Sequence, residues 1–107
     1  MISTTVPFTL PVGYIDENAE VHKEGVIRLA TVADELLPLS EADVKENSAL
    51  LQVFILSRVV MSLGSVRSIT PHIIASLVPV DYLYLLRLYA EINANPLRII
   101  EREVKSD

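Results

Sequence analysis

Residues 80–93 constrain the fold more than any other part of the chain, because they predict one helix that is apolar on most of its sides. Pro79 keeps the preceding chain from continuing as a helix. Asp81 is the predicted N-cap, since its carboxylate can accept hydrogen bonds from the free amides of the first turn. Asn93 and Pro96 predict the end of the helix.

The charged side chains of this predicted helix share one face. Arg87 and Glu91 are four residues apart and therefore adjacent on the helix surface, with Tyr84 one turn earlier. Leu, Tyr, Ile and Ala cover nearly all of the rest, whereas an ordinary surface helix needs only one apolar stripe. Either the rest of the chain encloses this helix, or part of its surface binds a partner.

The composition fits one small domain and argues against several classes of function. A chain of 107 residues can bury a single modest core. It has no cysteine, which excludes disulfides, thiolate metal sites and cysteine catalysis. The net charge of -5 argues against nucleic-acid binding, which requires clustered Lys and Arg.

The sequence predicts a soluble intracellular protein. Residues 1–5 lack the basic and apolar regions of a secretory signal. Uncharged runs such as residues 47–57 and 68–80 are shorter than the roughly 20 residues that a membrane helix needs.

Alternating residues near the N-terminus predict a β-hairpin. A polar turn at residues 16–19 separates a strand over residues 8–15 from a second strand over residues 20–29. Pro11 cannot donate to a ladder, so we expect it at a sheet edge or an unpaired site. The predicted apolar face carries Phe8, Leu10, Val12, Tyr14, Val21, Ile27 and Leu29, and the polar face of the second strand carries Glu20, His22, Glu24 and Arg28.

Start and stop signals predict further helices. Thr31 with Asp34 begins a short helix that Pro38 ends. Ser40 begins a helix over residues 41–63, with Gly64 as its C-cap; a break at residues 47–48, with Ser48 as a new cap, is the alternative.

The C-terminal half adds two helices before the tail. Thr70 and Pro71 begin a helix over residues 71–78, which the helix of residues 80–93 follows. The tail is either a frayed helix or a disordered end. The predicted fold is therefore α+β, an N-terminal β-hairpin packed on about four α-helices, in one domain over residues 1–107. Residues 1–7 and 97–107 are candidates for flexible ends.

The sequence carries little that indicates catalysis or cofactor binding. His22 has Glu20 and Glu24 on the same predicted face, which would suit a metal or acid–base role, but a solvated strand face is the simpler interpretation. His72 has no carboxylate near it in the sequence. We therefore expect no catalytic residues, no metal and no cofactor.

Two charged segments also have simpler interpretations. The acidic residues at 34–46 suit the first turns of helices, although they could also attract a basic partner. Arg98, Arg102 and Lys105 alternate with acidic residues, which favours a solvated face over a nucleic-acid contact.

An ordered set of motifs resembles a known family. The set begins with the hairpin segments Leu10-Pro11-Val12-Gly13-Tyr14-Ile15-Asp16, Val21-His22-Lys23 and Ile27-Arg28-Leu29. It continues with an aliphatic segment ending in Leu63-Gly64 and with Asp81-Tyr82-Leu83-Tyr84-Leu85-Leu86-Arg87-Leu88. Together, over residues 8–93, these resemble the tail assembly chaperones of contractile-tailed phages and prophages, the Mu-like group.

This resemblance implies a non-enzymatic protein of the bacterial host cytoplasm. Members of the family keep the long tape-measure protein soluble and help tail-tube subunits to polymerise around it. The implied partners are the tape-measure protein, a tail-tube subunit and further copies of the chain, with no nucleic acid and no membrane. The family has no catalytic residues to transfer to this sequence.

The predicted contact surface lies on the helices of residues 49–63 and 82–93. A groove or an oligomer would hold an apolar helix of the partner. A small structural baseplate or tail-completion subunit is the alternative function, and an enzyme ranks last because the sequence shows no cluster of polar groups for a catalytic pocket. The candidate partner-binding residues are Tyr82, Leu85, Leu86, Tyr89 and Ile92.

Overall fold

The computed structural model describes residues 4–105, with side chains described up to residue 100. The fold is α+β, as the sequence predicts, with an antiparallel sheet whose strands are β1 (Thr5–Ile15), β2 (Val21–Arg28) and β3 (Val60–Leu63), in the order β1-β2-β3. The helices are α1 (Val32–Leu36), α2 (Ala42–Glu46), α3 (Leu51–Val59), α4 (Pro71–Ala75), α5 (Pro79–Ala94) and α6 (Pro96–Lys105), with short 3-10 turns at Leu37–Ser40 and Ser48–Leu50.

The two segments predicted as flexible ends are largely regular where they are described. Residues 5–7 belong to β1, and α6 makes the tail helical from Pro96 to Lys105. Residues 1–3, 106 and 107 lie outside the described residues.

The hairpin forms as predicted, but its strands are not in simple register. Thr9 pairs with Glu24 and Tyr14 with His22, so residues 10–13 of β1 face only one residue of β2, Lys23. Such an insertion is a β-bulge, which bends a strand and redirects its side chains. Pro11 lies inside it, in agreement with the prediction of an unpaired site.

The burial expected for the first two residues of β2 is wrong. His22 is buried, at 6% exposure, and Val21 is exposed, whereas alternation along a regular strand predicts the opposite. Ile27 lies beyond the irregularity and is buried as predicted. The His22 ring lies against Asp16, Tyr14 and Gly64, which come from outside β2, so alternation along β2 could not predict its burial.

The long helix predicted over residues 41–63 is wrong, because this segment forms two helices and a strand. It breaks at the predicted place, but the Asn47 side chain is the cap and accepts a hydrogen bond from the Ala49 amide, at 3.1 Å. The last four residues form β3, where Leu63 pairs with Gly25 of β2. Pairing with the open edge of β2 outweighs the helical pattern of this segment, as sheet context often does. Gly64 adopts φ +59 after the strand and is not a helix C-cap.

The predicted N-cap of the long apolar helix is also wrong. α5 begins at Pro79 with Val78 as the N-cap residue, which makes Asp81 a member of the first turn. Pro79 thus occupies the first helical position, where its missing N–H costs nothing. Asp81 is fully buried, and its carboxylate accepts hydrogen bonds from β1, as described below. By contrast, the predicted caps Thr31 and Thr70 both form.

One hydrophobic core lies between the sheet and helices α3, α4 and α5. The sheet contributes Phe8, Leu10, Ile27 and Leu63, and the helices contribute Val53, Leu56, Val59, Ile74, Leu85 and Ile92. Leu56 and Leu85 have no exposed surface, so the middle of α3 and one face of α5 are fully enclosed.

Candidate functional site

The first polar cluster joins the N-terminal turn of α5 to the bulge of β1. The Asp81 carboxylate accepts hydrogen bonds from the backbone amides of Val12, at 2.9 Å, and Gly13, at 2.8 Å. The bulge leaves these amides without partners in the sheet, and Gly13 has φ +111, which favours glycine. Asp81 therefore completes the hydrogen bonding of the bulge, and its role is to hold α5 against β1.

The second polar cluster is a buried ion pair network around Asp34 in α1. Arg28 donates to both carboxylate oxygens, at 2.7 and 2.9 Å, and the Arg58 Nε donates to one of them at 3.0 Å. The Thr31 amide donates to the same carboxylate at 2.8 Å. The Arg28 guanidinium holds the pKa of the Asp34 carboxyl well below its usual range, with Thr31 and Arg58 adding to this effect and burial opposing it.

This network fixes α1 to both the sheet and α3. Arg28 lies at the end of β2, and it also donates to the backbone carbonyl of Arg58 at 3.0 Å. The two arginines keep part of their side chains exposed, while Asp34 is almost completely buried. Both oxygens of the Asp34 carboxylate have hydrogen-bond partners. A structural role therefore accounts for the whole network.

The third polar cluster lies at the turn of the hairpin. The His22 Nε2 and the Asp16 Oδ2 are 2.9 Å apart, and the His22 ring stacks on Tyr14. Asp16 also accepts from the Asn18 and Glu20 amides, which orders the turn. Hydrogen bonding to His22 lowers the pKa of Asp16. His22 is thus paired with Asp16 and not with Glu24, which accepts from Thr9 instead.

The five predicted contact residues on α5 divide by burial. Leu85 and Ile92 belong to the core, at 0% and 6% exposure. Tyr82, Leu86 and Tyr89 are half-buried and pack against that core. The burial leaves Tyr82, Leu86 and Tyr89 within reach of a partner, and the partner role of all five remains a prediction.

The outward face of α5 keeps some apolar surface. Val80 and Leu83 are half exposed on its first turns. Arg87 and Glu91 follow on the same side and are exposed. The rest of the apolar surface of α5 packs in or against the core, so the apolar surface that this helix exposes is confined to its first turns.

A more exposed apolar segment lies elsewhere, on α1 and the 3-10 turn after it. Val32 is 73% exposed, Leu36 58%, Leu37 54% and Leu39 49%. We call these four residues the 32–39 surface. Across residues 31–49 only Asp34, Pro38 and Val44 are buried, which is unusual for a segment with so many aliphatic residues.

A shallow groove of about 340 Å³ borders the 32–39 surface. Its lining joins the 3-10 turn to α3 and to the start of α4 and includes Leu37, Pro38, Glu41, Phe54, Arg58 and Pro71. The 32–39 segment also contacts α5, because the phenol of Tyr89 donates a hydrogen bond to the Glu35 carboxylate at 2.6 Å. Burial and the Glu35 carboxylate both raise the pKa of Tyr89, so it stays a hydrogen-bond donor at neutral pH.

Comparison with protein-family models, with curated proteins and with solved structures finds no match for this chain. Among the described residues, none of the helices combines the length and the apolar composition that crossing a bilayer requires.

Sequence reasoning missed the 32–39 surface for a physical reason. Val32 and Leu36 are four residues apart, as are Asp34 and Pro38, so the segment has one apolar and one mixed face. The usual expectation buries the apolar face. The sequence signal that could have revealed the exposed apolar face is Arg28. An arginine at the end of a strand can form an ion pair with an aspartate six residues later, and this pair turns the polar face of α1 toward the protein.

Proposed function

We propose that this chain is a non-enzymatic tail assembly chaperone that binds an apolar helix of a phage tape-measure protein in the cytoplasm of the bacterial host. Two independent considerations support this proposal. The ordered motifs from Leu10 to Leu88 resemble that family. The chain also presents apolar side chains that its own core does not cover.

The observation that carries the proposal is the 32–39 surface. Four aliphatic side chains within eight residues are about half or more exposed. Complete burial of a fully exposed aliphatic side chain is worth roughly 1.5–3 kcal/mol, so a partner that covers the exposed part of all four gains about half of that value or more for each. Keeping them exposed is a solubility liability for a lone protein, and a binding function would account for it.

The charges around this surface indicate the chemistry of the partner. Glu35, Glu41 and Asp43 lie within or directly after the segment, and Lys45 is the nearest lysine along the chain. Arg58 is held by the Asp34 carboxylate. The complementary ligand is therefore an amphipathic helix with aliphatic residues on one face and lysine or arginine at the margins.

The residues predicted on α5 extend this surface. Tyr89 is hydrogen-bonded to Glu35, so its ring connects the 32–39 surface to the half-buried side of α5. Tyr82 and Leu86 are the other residues of the predicted set that a partner could touch without opening the core. Leu85 and Ile92 would join only if α5 moved away from the sheet.

Co-expression with the neighbouring long helical open reading frame tests the proposal. We expect the client to be soluble with the wild-type chain and to precipitate with Leu36→Ser combined with Leu37→Ser. Leu97→Ser is the matched control, because Leu97 is an equally exposed leucine at a distant place in the sequence. A client that is equally soluble with and without the chain would contradict the proposal.

Purified tail particles separate this function from that of a structural subunit. A chaperone should be missing from finished particles, whereas a baseplate or tail-completion subunit should be present in fixed stoichiometry. Quantitative mass spectrometry of particles therefore distinguishes the two functions.

A further inference from the structure

The turn of the β-hairpin brings together three side chains of the kinds that bind zinc. They are Asp16 and Glu20 at the two sides of the turn and His22 on β2, and one ligand atom from each lies within 4.8 Å of the other two. His22 comes from a strand, and the carboxylates come from a turn that strands hold on both sides.

Backbone hydrogen bonds fix the turn in the required shape. The Asp16 amide donates to the Glu20 carbonyl, and the Ala19 amide donates to the Asp16 carbonyl, both at 3.0 Å. The Asp16 Oδ1 accepts from the Asn18 amide at 2.8 Å and from the Glu20 amide at 3.0 Å. The orientation of the carboxylate is thus set by Oδ1, which leaves Oδ2 directed at His22.

The His22 ring is equally constrained. It is buried, it stacks on Tyr14 with ring centroids 6.0 Å apart, and it packs against Gly64. A Cβ at Gly64 would collide with this ring, so the glycine makes room for it. A ligand that is held in one rotamer before the metal arrives loses little entropy on binding.

We propose that Asp16, Glu20 and His22 form a site for a divalent transition metal ion, with Zn²⁺ as the best fit. The ion would bind Asp16 Oδ2, a Glu20 carboxylate oxygen and His22 Nε2, and solvent would complete a tetrahedron. Metal binding through Nε2 requires the tautomer with hydrogen on Nδ1, so the hydrogen bond between Nε2 and Asp16 Oδ2 breaks and a proton on Nε2 passes to solvent.

The distances require only a small adjustment. The His22 Nε2 and the Asp16 Oδ2 are 2.9 Å apart. Two ligand atoms of a tetrahedral zinc ion, each about 2.0–2.1 Å from the metal, are about 3.3 Å apart. The pair must therefore open by a few tenths of an ångström. Glu20 is exposed, so its side chain can rotate to complete the set.

Calcium fits this site less well. One ligand is an imidazole nitrogen, which suits zinc and its neighbours, whereas calcium takes oxygen ligands. Within the part of the chain that the structure describes, the site also offers three side chains, and calcium needs six or more ligands.

Titration of the chelator-treated, full-length protein with ZnCl₂, followed by calorimetry, tests the proposal. We expect one ion per chain and a higher melting temperature with zinc, since zinc binds the folded hairpin. Glu20→Gln should weaken binding by about tenfold or more. It should leave the fold of the metal-free protein intact, because Glu20 is exposed.

Two controls make the test specific. Glu17→Gln removes the same charge from an exposed residue of the same turn that is outside the ligand set, and it should leave the affinity unchanged. His72→Gln removes the other histidine and should also have no effect. In the wild-type protein, zinc should shift the NMR signals of the His22 ring and leave those of His72 in place.

Three outcomes would overturn the proposal. They are the absence of saturable binding, equal affinity in the Glu20→Gln variant and the wild type, and equal weakening in Glu17→Gln and Glu20→Gln. In each case Asp16 and His22 form a structural hydrogen bond only. The readout does not involve the tape-measure client, so the metal site and the proposed function can fail separately.

Discussion

Two helical segments each bury one aspartate: the N-terminal turns of α5, and α1 with the 3-10 turn after it. In α5 a leucine one turn after the aspartate is buried in the core, whereas in α1 the aliphatic side chains are exposed to solvent. In α5, Asp81 bonds to the bulge of β1, and Leu85, four residues later, enters the core. In α1, Asp34 bonds to Arg28 and Arg58, while Val32 and Leu36 on the other face are exposed.

The difference shows that a buried polar anchor decides which face of a short helix turns inward. α5 has sixteen residues and packs on β1 and α3, so both Asp81 and Leu85 can be enclosed. α1 has five residues and can present only one face to the protein. Since two arginines satisfy Asp34 there, the aliphatic face is left outside.

The largest expected effect comes from truncating the core side of α5. Leu85→Ala should lower the free energy of unfolding by about 3–4 kcal/mol, because it leaves a cavity in a fully packed region. Leu83→Ala is the control on the exposed face of the same helix and should change stability by about 0.5 kcal/mol or less. Urea denaturation measures both variants. Similar losses would mean that the two faces of α5 are not distinct.

Removing the anchor of α1 should be nearly as costly. Asp34→Ala removes the carboxylate that Arg28 and Arg58 share, and we expect a loss of about 2–3 kcal/mol. The loss is smaller than for a fully buried unpaired charge, because both arginines are partly exposed and Arg28 still donates to two backbone carbonyls. Glu35→Ala is the control next to it, since Glu35 is exposed and bonds only to the Tyr89 phenol among the described contacts. A loss no larger than that of the control would show that Asp34 does not anchor the segment.

The same carboxylate predicts how stability depends on pH. The native pKa of Asp34 lies below its usual value near 3.9, so the native state binds fewer protons than the unfolded state. Its contribution is therefore complete above about pH 4–5 and is lost as pH falls toward the native pKa. The difference in stability between wild type and Asp34→Ala should shrink as the solution is acidified, and urea denaturation at several pH values measures it.

The anchor of α5 can be tested in the same way. Asp81→Ala leaves two backbone amides of the bulge without an acceptor, and we expect a loss of about 2 kcal/mol. Asp43→Ala is the control, because Asp43 is an exposed acid in the first turn of α2 and should cost about 0.5 kcal/mol. Hydrogen exchange of the Val12 and Gly13 amides should accelerate only in the first variant. Unchanged exchange would show that the bulge forms without Asp81.

These two aspartates also mark what the sequence could and could not predict. Local signals predicted the hairpin, the Thr31 and Thr70 caps and the existence of α5, since each depends on neighbouring residues. The role of Asp81 depends on a partner far along the chain, Gly13, and the role of Asp34 depends on Arg58 as well as on the nearby Arg28. For the same reason β3 was predicted as helix, because its pairing with β2 is a long-range contact.

For the candidate sites too, the sequence predicts what depends on neighbouring residues and misses what depends on long-range contacts. A role for the apolar surface of α5 could be proposed from composition alone, but the burial of Leu85 and Ile92 depends on the sheet against which they pack. The exposure of the 32–39 surface depends on the Asp34 network, and the approach of His22 to Asp16 depends on the bulge. Neither could be found by periodicity.

The smallest expected effect on folding is on the 32–39 surface itself. Leu36→Ser combined with Leu37→Ser should change the free energy of unfolding by only about 0.5 kcal/mol, since both side chains are already more than half exposed. The same pair of changes should nevertheless reduce client binding, because each leucine removed deprives a partner that covers it of about half of the roughly 1.5–3 kcal/mol that complete burial is worth. A melting curve measured beside a pull-down separates the two quantities. If both fell together, the segment would belong to the core and the contrast with α5 would disappear; if neither changed, the client would have to bind through Tyr82, Leu86 and Tyr89 alone.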